Sequence, residues 1–353
     1  MGEAFGLYTH MRNNRWRSAF LIAGLFVLVV MVTFAIVLII DGQTRPGSLS
    51  DHVGYAARQT VLYAPVALAL TGVWVLIGFG FNTAMIAWAS GSAEVSRLSD
   101  PTLYRLVENL CISRGMAVPK LAIIETDALN AFASGVNEKQ YTITVTRGLL
   151  NALNEAELEA VLAHELTHIR NGDVRLMIIA VLIAGVVSFF GEMIVRGQRF
   201  SNVQVTHRGS DGEGRGRGGG GAAVLIGIVI LVVAWFLSVV IRFALSRSRE
   251  YLADAGAVEL TKNPDAMISA LLKISGRADL DGVPSGIMDM CIENDPDDFG
   301  DIFATHPSIS KRVQALQAYA GGRMPPSPPR ISQREPLPNL VERRGPWGRM
   351  DTP

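Results

Sequence analysis

Two histidines and a glutamate lie within five consecutive positions of the segment 154–172. They are His164, Glu165 and His168. Neutral imidazoles are common zinc ligands, and a carboxylate close to a catalytic water can take its proton. Residues of these types at this spacing predict metal-assisted hydrolysis, with the two histidines as ligands and Glu165 as the general base.

The same segment carries the signals of an α-helix. Apolar residues recur at helical spacing, Asn154 and Glu157 form a potential capping box, and Gly172 follows as a stop signal. Four helical residues rotate by about 400°, so the two imidazoles lie about 40° apart on one face and can share one ion. Glu165 is offset by about 100° and flanks the metal. Two histidines on the polar face of an ordinary helix are the alternative interpretation.

A catalytic zinc site of this type needs a third protein ligand and one open position. Glu192 borders an apolar run and Glu213 lies in a glycine-rich stretch, so neither is expected to be held rigidly. Glu250 and Asp254 lie one turn apart in a helical continuation of the fourth apolar run, where Asp254 can orient a ligand or bond to a histidine ring. The carboxylates after His168 include Asp173, Glu192, Glu213, Glu250, Asp254 and Glu259.

Composition and apolar runs predict that part of the chain lies in a lipid bilayer. Only 18% of the 353 residues are charged, whereas soluble domains have about 25%. Long apolar runs predict transmembrane helices at about 18–40 and 61–89, joined by a polar loop of about 20 residues. A second hydrophobic hairpin is predicted at about 176–195 and 222–241. Its first run is short, so a buried hairpin that does not cross the membrane is the alternative.

Basic residues near the ends of the runs predict the orientation in the membrane. Arg12, Arg15 and Arg17 precede the first run, which places the N-terminus and the segments that carry the candidate site residues in the cytoplasm. We therefore expect a multi-pass protein of the cell inner (plasma) membrane. The arginines between the third and fourth runs disagree with this orientation; they are Arg196, Arg199, Arg208, Arg215 and Arg217.

The sequence divides into three expected parts. Residues 1–93 form an N-terminal transmembrane hairpin, and residues 94–321 form a mainly α-helical domain with a small β-sheet, interrupted by the second hairpin. Strands are predicted at 121–125, 130–135 and 140–146, the last two as a hairpin. The glycine-rich stretch 209–221 is predicted to be a flexible loop, and the proline-rich tail 322–353 to be disordered.

Three motifs together resemble the HtpX family of membrane zinc proteases, which is related to the CAAX prenyl proteases. They are His164-Glu-Leu-Thr-His-Ile-Arg-Asn-Gly-Asp173, Ser246-Arg-Ser-Arg-Glu-Tyr-Leu-Ala-Asp254 and Thr305-His-Pro-Ser-Ile-Ser-Lys-Arg312. The resemblance implies a gluzincin-type protease domain with one zinc ion per chain, held by His164, His168 and Glu250. It also implies that Glu165 is the catalytic base and that the site faces the cytoplasm. The expected substrates are unfolded polypeptides and damaged or misfolded membrane proteins, cleaved in quality control under stress.

The same resemblance assigns roles to two further residues, and the strand pattern assigns a role to two more. The family pattern places His306 and Arg312 near the site, where His306 would stabilise the oxyanion or orient Glu250. A structural loop is the alternative. Asn130 and Ala131 could hold an extended substrate by strand addition, or they could belong to a merely structural strand.

Other classes of function fit the sequence less well. The chain has 32 Lys and Arg residues and 32 Asp and Glu residues, so its net charge does not indicate binding to nucleic acid. The first run is too long for a signal peptide, and the acidic stretch 289–301 lacks the ligand spacing of a calcium loop. A protease for prenylated C-termini and a membrane scaffold with structural zinc remain the two rivals, and the presence of Glu165 argues against the scaffold.

Overall fold

The protein is mainly α-helical, with one small sheet among the residues that the structure describes. The computed structural model describes residues 7–183, 185, 218–244, 247–280, 283, 285–288, 290–293 and 307–325. The helices in chain order are α1 (Leu7–Thr44), α2 (Leu49–Ser90), α3 (Pro101–Arg114), α4 (Arg147–Ala152), α5 (Glu155–Asn171), α6 (173–183), α7 (Gly218–Ala244), α8 (Arg247–Thr261), α9 (Pro264–Ile274), α10 (Ser285–Met288) and α11 (Ile309–Ala320).

Three of these helices are long and apolar enough to cross a membrane. Their candidate spans are Phe20–Thr44 in α1, Leu49–Ser90 in α2 and Gly219–Leu237 in α7. The first, second and fourth apolar runs of the sequence are therefore helices. The third run is described as helix only to residue 183, and the rest of its predicted range lies outside the described residues. The same holds for 209–217 and for 326–353 of the predicted tail.

The predicted loop of about 20 residues between the first two membrane helices is wrong. Only residues 45–48 separate α1 from α2. Ser48 begins α2 with a capping box, in which its hydroxyl accepts from the Asp51 amide and the Asp51 carboxylate accepts from the Ser48 amide. A buried pair, His52 Nδ1 and Asp41 Oδ2 at 2.7 Å, joins the two helices beside this turn. The polar residues therefore form the first turns of α2, where capping and pairing replace apolar periodicity.

The prediction of a flexible loop at 209–221 is also wrong for its last residues, because Gly218–Gly221 is the first turn of α7. A methyl group on Gly219 would lie 2.4 Å from the backbone oxygen of Gly47, and one on Gly220 would lie 2.5 Å from that of Gly42. Only glycine allows the backbone of α7 to approach α1 and the α1–α2 turn this closely. These glycines therefore serve helix packing.

The sheet has four strands in the order β1-β2-β4-β3. The strands β2 and β4 are parallel, and the other two pairs are antiparallel. The predicted hairpin of β3 and β4 is confirmed, whereas the short strand β1 was not predicted. The strands are β1 (Ala93–Val95), β2 (Lys120–Ile124), β3 (Ala131–Ser134) and β4 (Thr142–Thr146).

Helix α5 runs through the main hydrophobic core, between the sheet with α3 on one side and α8 with α9 on the other. The capping glutamate Glu157 is buried and also binds Lys273 Nζ of α9 at 2.7 Å and the Ser269 hydroxyl at 2.6 Å. A buried charge needs such partners. This pairing fixes the start of α5 and, through it, the position of every residue further along the helix.

The close contact at the start of α7 gives a stability prediction. Gly219→Ala should lower the free energy of unfolding by about 1–3 kcal/mol, because the new methyl group meets backbone rather than a movable side chain. Gly221→Ala is the matched control, since a methyl group there has no atom within 4 Å. Thermal unfolding in detergent measures both variants, and equal midpoints would contradict this packing.

Candidate metal centre

Helix α5 brings His164, Glu165 and His168 into the protein interior. The capping box of Asn154 and Glu157 begins the helix, and Gly172 ends it in the left-handed conformation at φ 74°. This arrangement confirms the start and stop predicted from the sequence. All three side chains are buried, unlike those of an ordinary polar helix face.

Helix α8 places Glu250 opposite the two imidazoles. It can approach α5 closely because Gly256 faces Thr167, where a methyl group would lie 2.5 Å from the threonine Cγ2. Buried Ala253 and Ala257 flank this glycine on α8. Small residues at the contact thus allow the two helices to bring their functional side chains together.

The potential ligand atoms of His164, His168 and Glu250 converge on one point. The two Nε2 atoms lie 3.1 Å apart, and each lies 3.5 Å from a different carboxylate oxygen of Glu250. A tetrahedral ion with bonds of about 2.0–2.1 Å holds its ligand atoms about 3.3 Å apart. Among the described residues, these three form the cluster that could hold a metal ion, and its spacing fits such an ion.

A carboxylate orients each imidazole from behind. His164 Nδ1 lies 2.9 Å from Asp254 Oδ1, and His168 Nδ1 lies 3.1 Å from Asp173 Oδ2. A proton on Nδ1 shared with the carboxylate leaves the lone pair of Nε2 free to face the ligand cluster. The sequence suggested the contact of Asp254. It did not assign this role to Asp173, although the position directly after the helix-ending glycine was a usable signal.

Arg312 of α11 connects these groups. Its guanidinium donates to both oxygens of Asp254, at 2.9 and 2.6 Å, and to the backbone oxygen of Ile292 at 2.8 Å. It also lies 3.5 Å from Glu250 Oε2. Burial alone would raise the pKa of Asp254, but the charge of Arg312 and its hydrogen bonds outweigh burial and hold that pKa below its usual value. Asp254 is therefore an ionised partner for His164.

Glu165 differs from the other carboxylates of the site. It is buried, and its Oε2 has no hydrogen-bond partner among the described residues. Burial raises the pKa of Glu165, although the neighbouring histidines oppose this effect. A carboxylate with a raised pKa and a free oxygen is suited to accept a proton at near-neutral pH.

The charges around the two imidazoles favour a cation. Carboxylates of Glu250, Asp254 and Asp173 touch the rings, and one guanidinium, from Arg312, lies against His164. The buried Glu165 carboxylate interacts electrostatically with the same histidines. A bound metal ion would offset this excess of acidic groups. The donor set and the charge of the residues present therefore fit a metal cation.

The two residues predicted to hold substrate are placed differently from the expectation. Asn130 and Ala131 are buried at the outer edge of β3. The Asn130 side chain donates to the backbone oxygens of Ala278 and Glu293, and the amide of Ile292 donates to the Ala131 oxygen. The chain's own 290–293 segment thus pairs with the start of this edge of β3, at Ala131 and Phe132. His306 lies outside the described residues.

A family model and curated relatives agree on one family, and one solved structure shows a weaker likeness. Peptidase family M48 matches residues 97–320. A curated protein named "Protease HtpX homolog" from Bacteroides fragilis strain YCH46 is 36% identical over 324 residues, covering 89% of this chain and 99% of that protein. Another of this name from Listeria innocua is 35% identical over 317 residues, covering 88% and 99%. The crystal structure of S. mikatae Ste24p has a TM-score of 0.43 and 19% identity, covering 73% of this chain and 58% of that one.

The contact between Asp173 and His168 gives a prediction about metal affinity. Asp173→Asn should weaken zinc binding by about 10–100-fold, because the ring loses a charged partner that orients it. Competition against a chromogenic chelator measures the affinity. Asp127→Asn, at an exposed loop position, is the control and should bind zinc like the unchanged protein. Equal affinities of all three proteins would show that Asp173 does not position His168.

Proposed function

Since the chain belongs to peptidase family M48, we propose that it cleaves peptide bonds at one zinc ion held by His164, His168 and Glu250. It is a metallopeptidase related to the HtpX proteases, with helices that can cross a membrane. The observation that carries the choice of ligands is the convergence of three buried side chains, whose two Nε2 atoms lie 3.1 Å apart and each 3.5 Å from one oxygen of Glu250. Two imidazoles and one carboxylate are a set found in catalytic zinc sites.

Glu165 is the general base in this proposal. Zinc bound between the three ligands would supply Lewis acidity and a reactive water at neutral pH. Glu165 accepts the proton of the attacking water on its free oxygen and passes it to the leaving amine. Its burial keeps bulk water away, so the proton is held at one atom until the amine leaves.

The remaining site residues support these groups. Asp254 and Asp173 orient the imidazoles, and Arg312 positions Asp254 while compensating its charge. His306 directly precedes Pro307 at the approach to α11, the helix that carries Arg312. We propose that His306 stabilises the oxyanion or orients Glu250, the two roles that a position near the site would allow.

The proposed substrates are misfolded or damaged membrane proteins and unfolded polypeptides, cleaved on the cytoplasmic side of the plasma membrane. Support for the membrane substrates comes from the direct attachment of the protease domain to its membrane helices. The arginines before the first helix support the orientation. Because the chain belongs to a peptidase family, a membrane scaffold with structural zinc loses its support. The other rival, a protease for prenylated C-termini, would require a substrate whose C-terminus carries a lipid.

Glu165→Gln tests the proposal. The variant keeps the size of the side chain but cannot take a proton, so hydrolysis of an unfolded model protein should fall by at least about 100-fold. The purified protein is first stripped with a chelator and then given zinc, and bound zinc is counted alongside the activity. We expect one zinc per chain in both proteins and hydrolysis only in the unchanged one.

Two results would contradict this assignment. Substantial cleavage by the Glu165→Gln protein would exclude Glu165 as the base. Loss of bound zinc from that variant would make Glu165 a ligand instead. Glu159→Gln, on the same helix and half-buried outside the metal centre, is the matched control and should cleave normally.

A further inference from the structure

Helix α2 carries one uninterrupted row of outward apolar side chains. Large apolar residues recur at intervals of three and four positions, which places them on one face of the helix. No charged residue occurs between Arg58 and Glu94, so the row is not broken along its length. Its members are Leu70, Trp74, Ile77, Phe81, Met85 and Trp88, all of them exposed.

The contacts between α1 and α2 show which part of this row lies beside the apolar run of α1 and which part lies beyond it. Asp41 of α1 and His52 of α2 bond to each other, and the two helices are antiparallel. The apolar run of α1 begins at Ser18, which is 23 residues before Asp41. The residue 23 positions after His52 is Val75. Side-chain packing agrees, because Val75 and Leu21 belong to the same cluster.

The last part of α2 therefore extends past the start of the apolar run of α1, and Phe79, Ile86 and Ala89 of this part pack against the main hydrophobic core. About 15 residues follow Val75 to the end of the helix, a length of about 22 Å. Phe81, Met85 and Trp88 lie in this extension and are 62%, 43% and 88% exposed. We call these three side chains the α2 stripe. Exposed apolar groups of this size beside a folded domain are typical of a binding surface.

The extension is held against the protease domain at the turn between β3 and β4. Gln140 of this turn donates to the backbone oxygens of Phe79 and Gly80 at 3.0 and 3.3 Å. Its own oxygen accepts from the side-chain amides of Asn82 at 3.3 Å and Asn137 at 3.0 Å. The side-chain amide of Gln140 thus makes three hydrogen bonds to α2 and one within its own turn, which hold α2 against the strand pair beside α5. The α2 stripe lies on the opposite, outward side of this contact.

We propose that the α2 stripe binds an apolar segment of a membrane-protein substrate as that segment leaves the bilayer for the metal centre. The inference rests on the proposed protease function and adds the surface that selects its substrates. One apolar helix face runs from Leu70, in the middle of the candidate membrane span, to Trp88, at the end of α2 that packs against the protease domain. An apolar segment that follows this face exchanges one apolar neighbour for another without exposure to water.

A pair of matched substrates tests the proposal in vesicles containing the full-length protein. One substrate is a flexible polar segment with a fluorophore and a quencher, attached to a helix of about 20 leucine and alanine residues. The other is the same polar segment alone. The test variant is Phe81→Ser/Met85→Ser/Trp88→Ser, and the control is Leu98→Ser/Ile112→Ser, which removes two exposed apolar side chains elsewhere on the domain.

The stripe variant should lose at least about 10-fold in kcat/KM on the helix-bearing substrate, mainly through a higher KM. Its cleavage of the polar segment alone should stay within about 2-fold of the unchanged protein, which shows that the variant is folded. The control variant should cleave both substrates normally. Equal losses on both substrates, or no loss on either, would overturn the proposal.

Photo-crosslinking separates this proposal from the proposed function. A photoreactive amino acid at position 88, combined with Glu165→Gln, should crosslink to the helix-bearing substrate. Crosslinks only to lipid, or only to a second copy of the chain, would overturn the proposal even if proteolysis is confirmed. If the unchanged protein cleaves neither substrate, the protease function fails, while the crosslink still decides whether the α2 stripe binds apolar segments.

Discussion

Two imidazoles on one helix and a carboxylate on another must point at the same place in the protein interior, and the rest of the structure depends on this. One ligand atom from each residue lies within 4.8 Å of the others, which without a cation would bring polar groups together at a large desolvation cost. Gly256 allows the necessary approach of α8 to α5, and the Glu157–Lys273 pair fixes α5 along its axis. Asp254 and Asp173 then leave the imidazoles little rotational freedom.

Helix α2 joins the membrane helices to the protease domain. It begins beside the Asp41–His52 pair and ends just before β1 of the sheet. Gln140 joins it to the β3–β4 turn, and β3 in turn packs against α5. The candidate membrane helices and the metal centre are therefore connected by packed secondary structure rather than by a linker.

Local signals in the sequence were sufficient for α5 and much of the metal cluster, because capping, periodicity and ligand chemistry all act within a few residues. They failed where long-range contacts decide the structure. The first turns of α2 are polar and were read as a loop, yet capping at Ser48 and the Asp41–His52 pair make them helical. Gly219 was read as flexible, although its role is a close contact with a residue far away in sequence. The edge of β3 is covered by Ile292, which no strand pattern near Ala131 could indicate.

Zinc K-edge X-ray absorption on the purified protein is the measurement that reports the atoms around the metal. We expect two imidazole nitrogens and carboxylate oxygen at about 2.0–2.1 Å, with Glu250→Ala losing the carboxylate but not the imidazoles. Sulfur ligands at about 2.3 Å, or an unchanged spectrum in the Glu250→Ala protein, would contradict this ligand set.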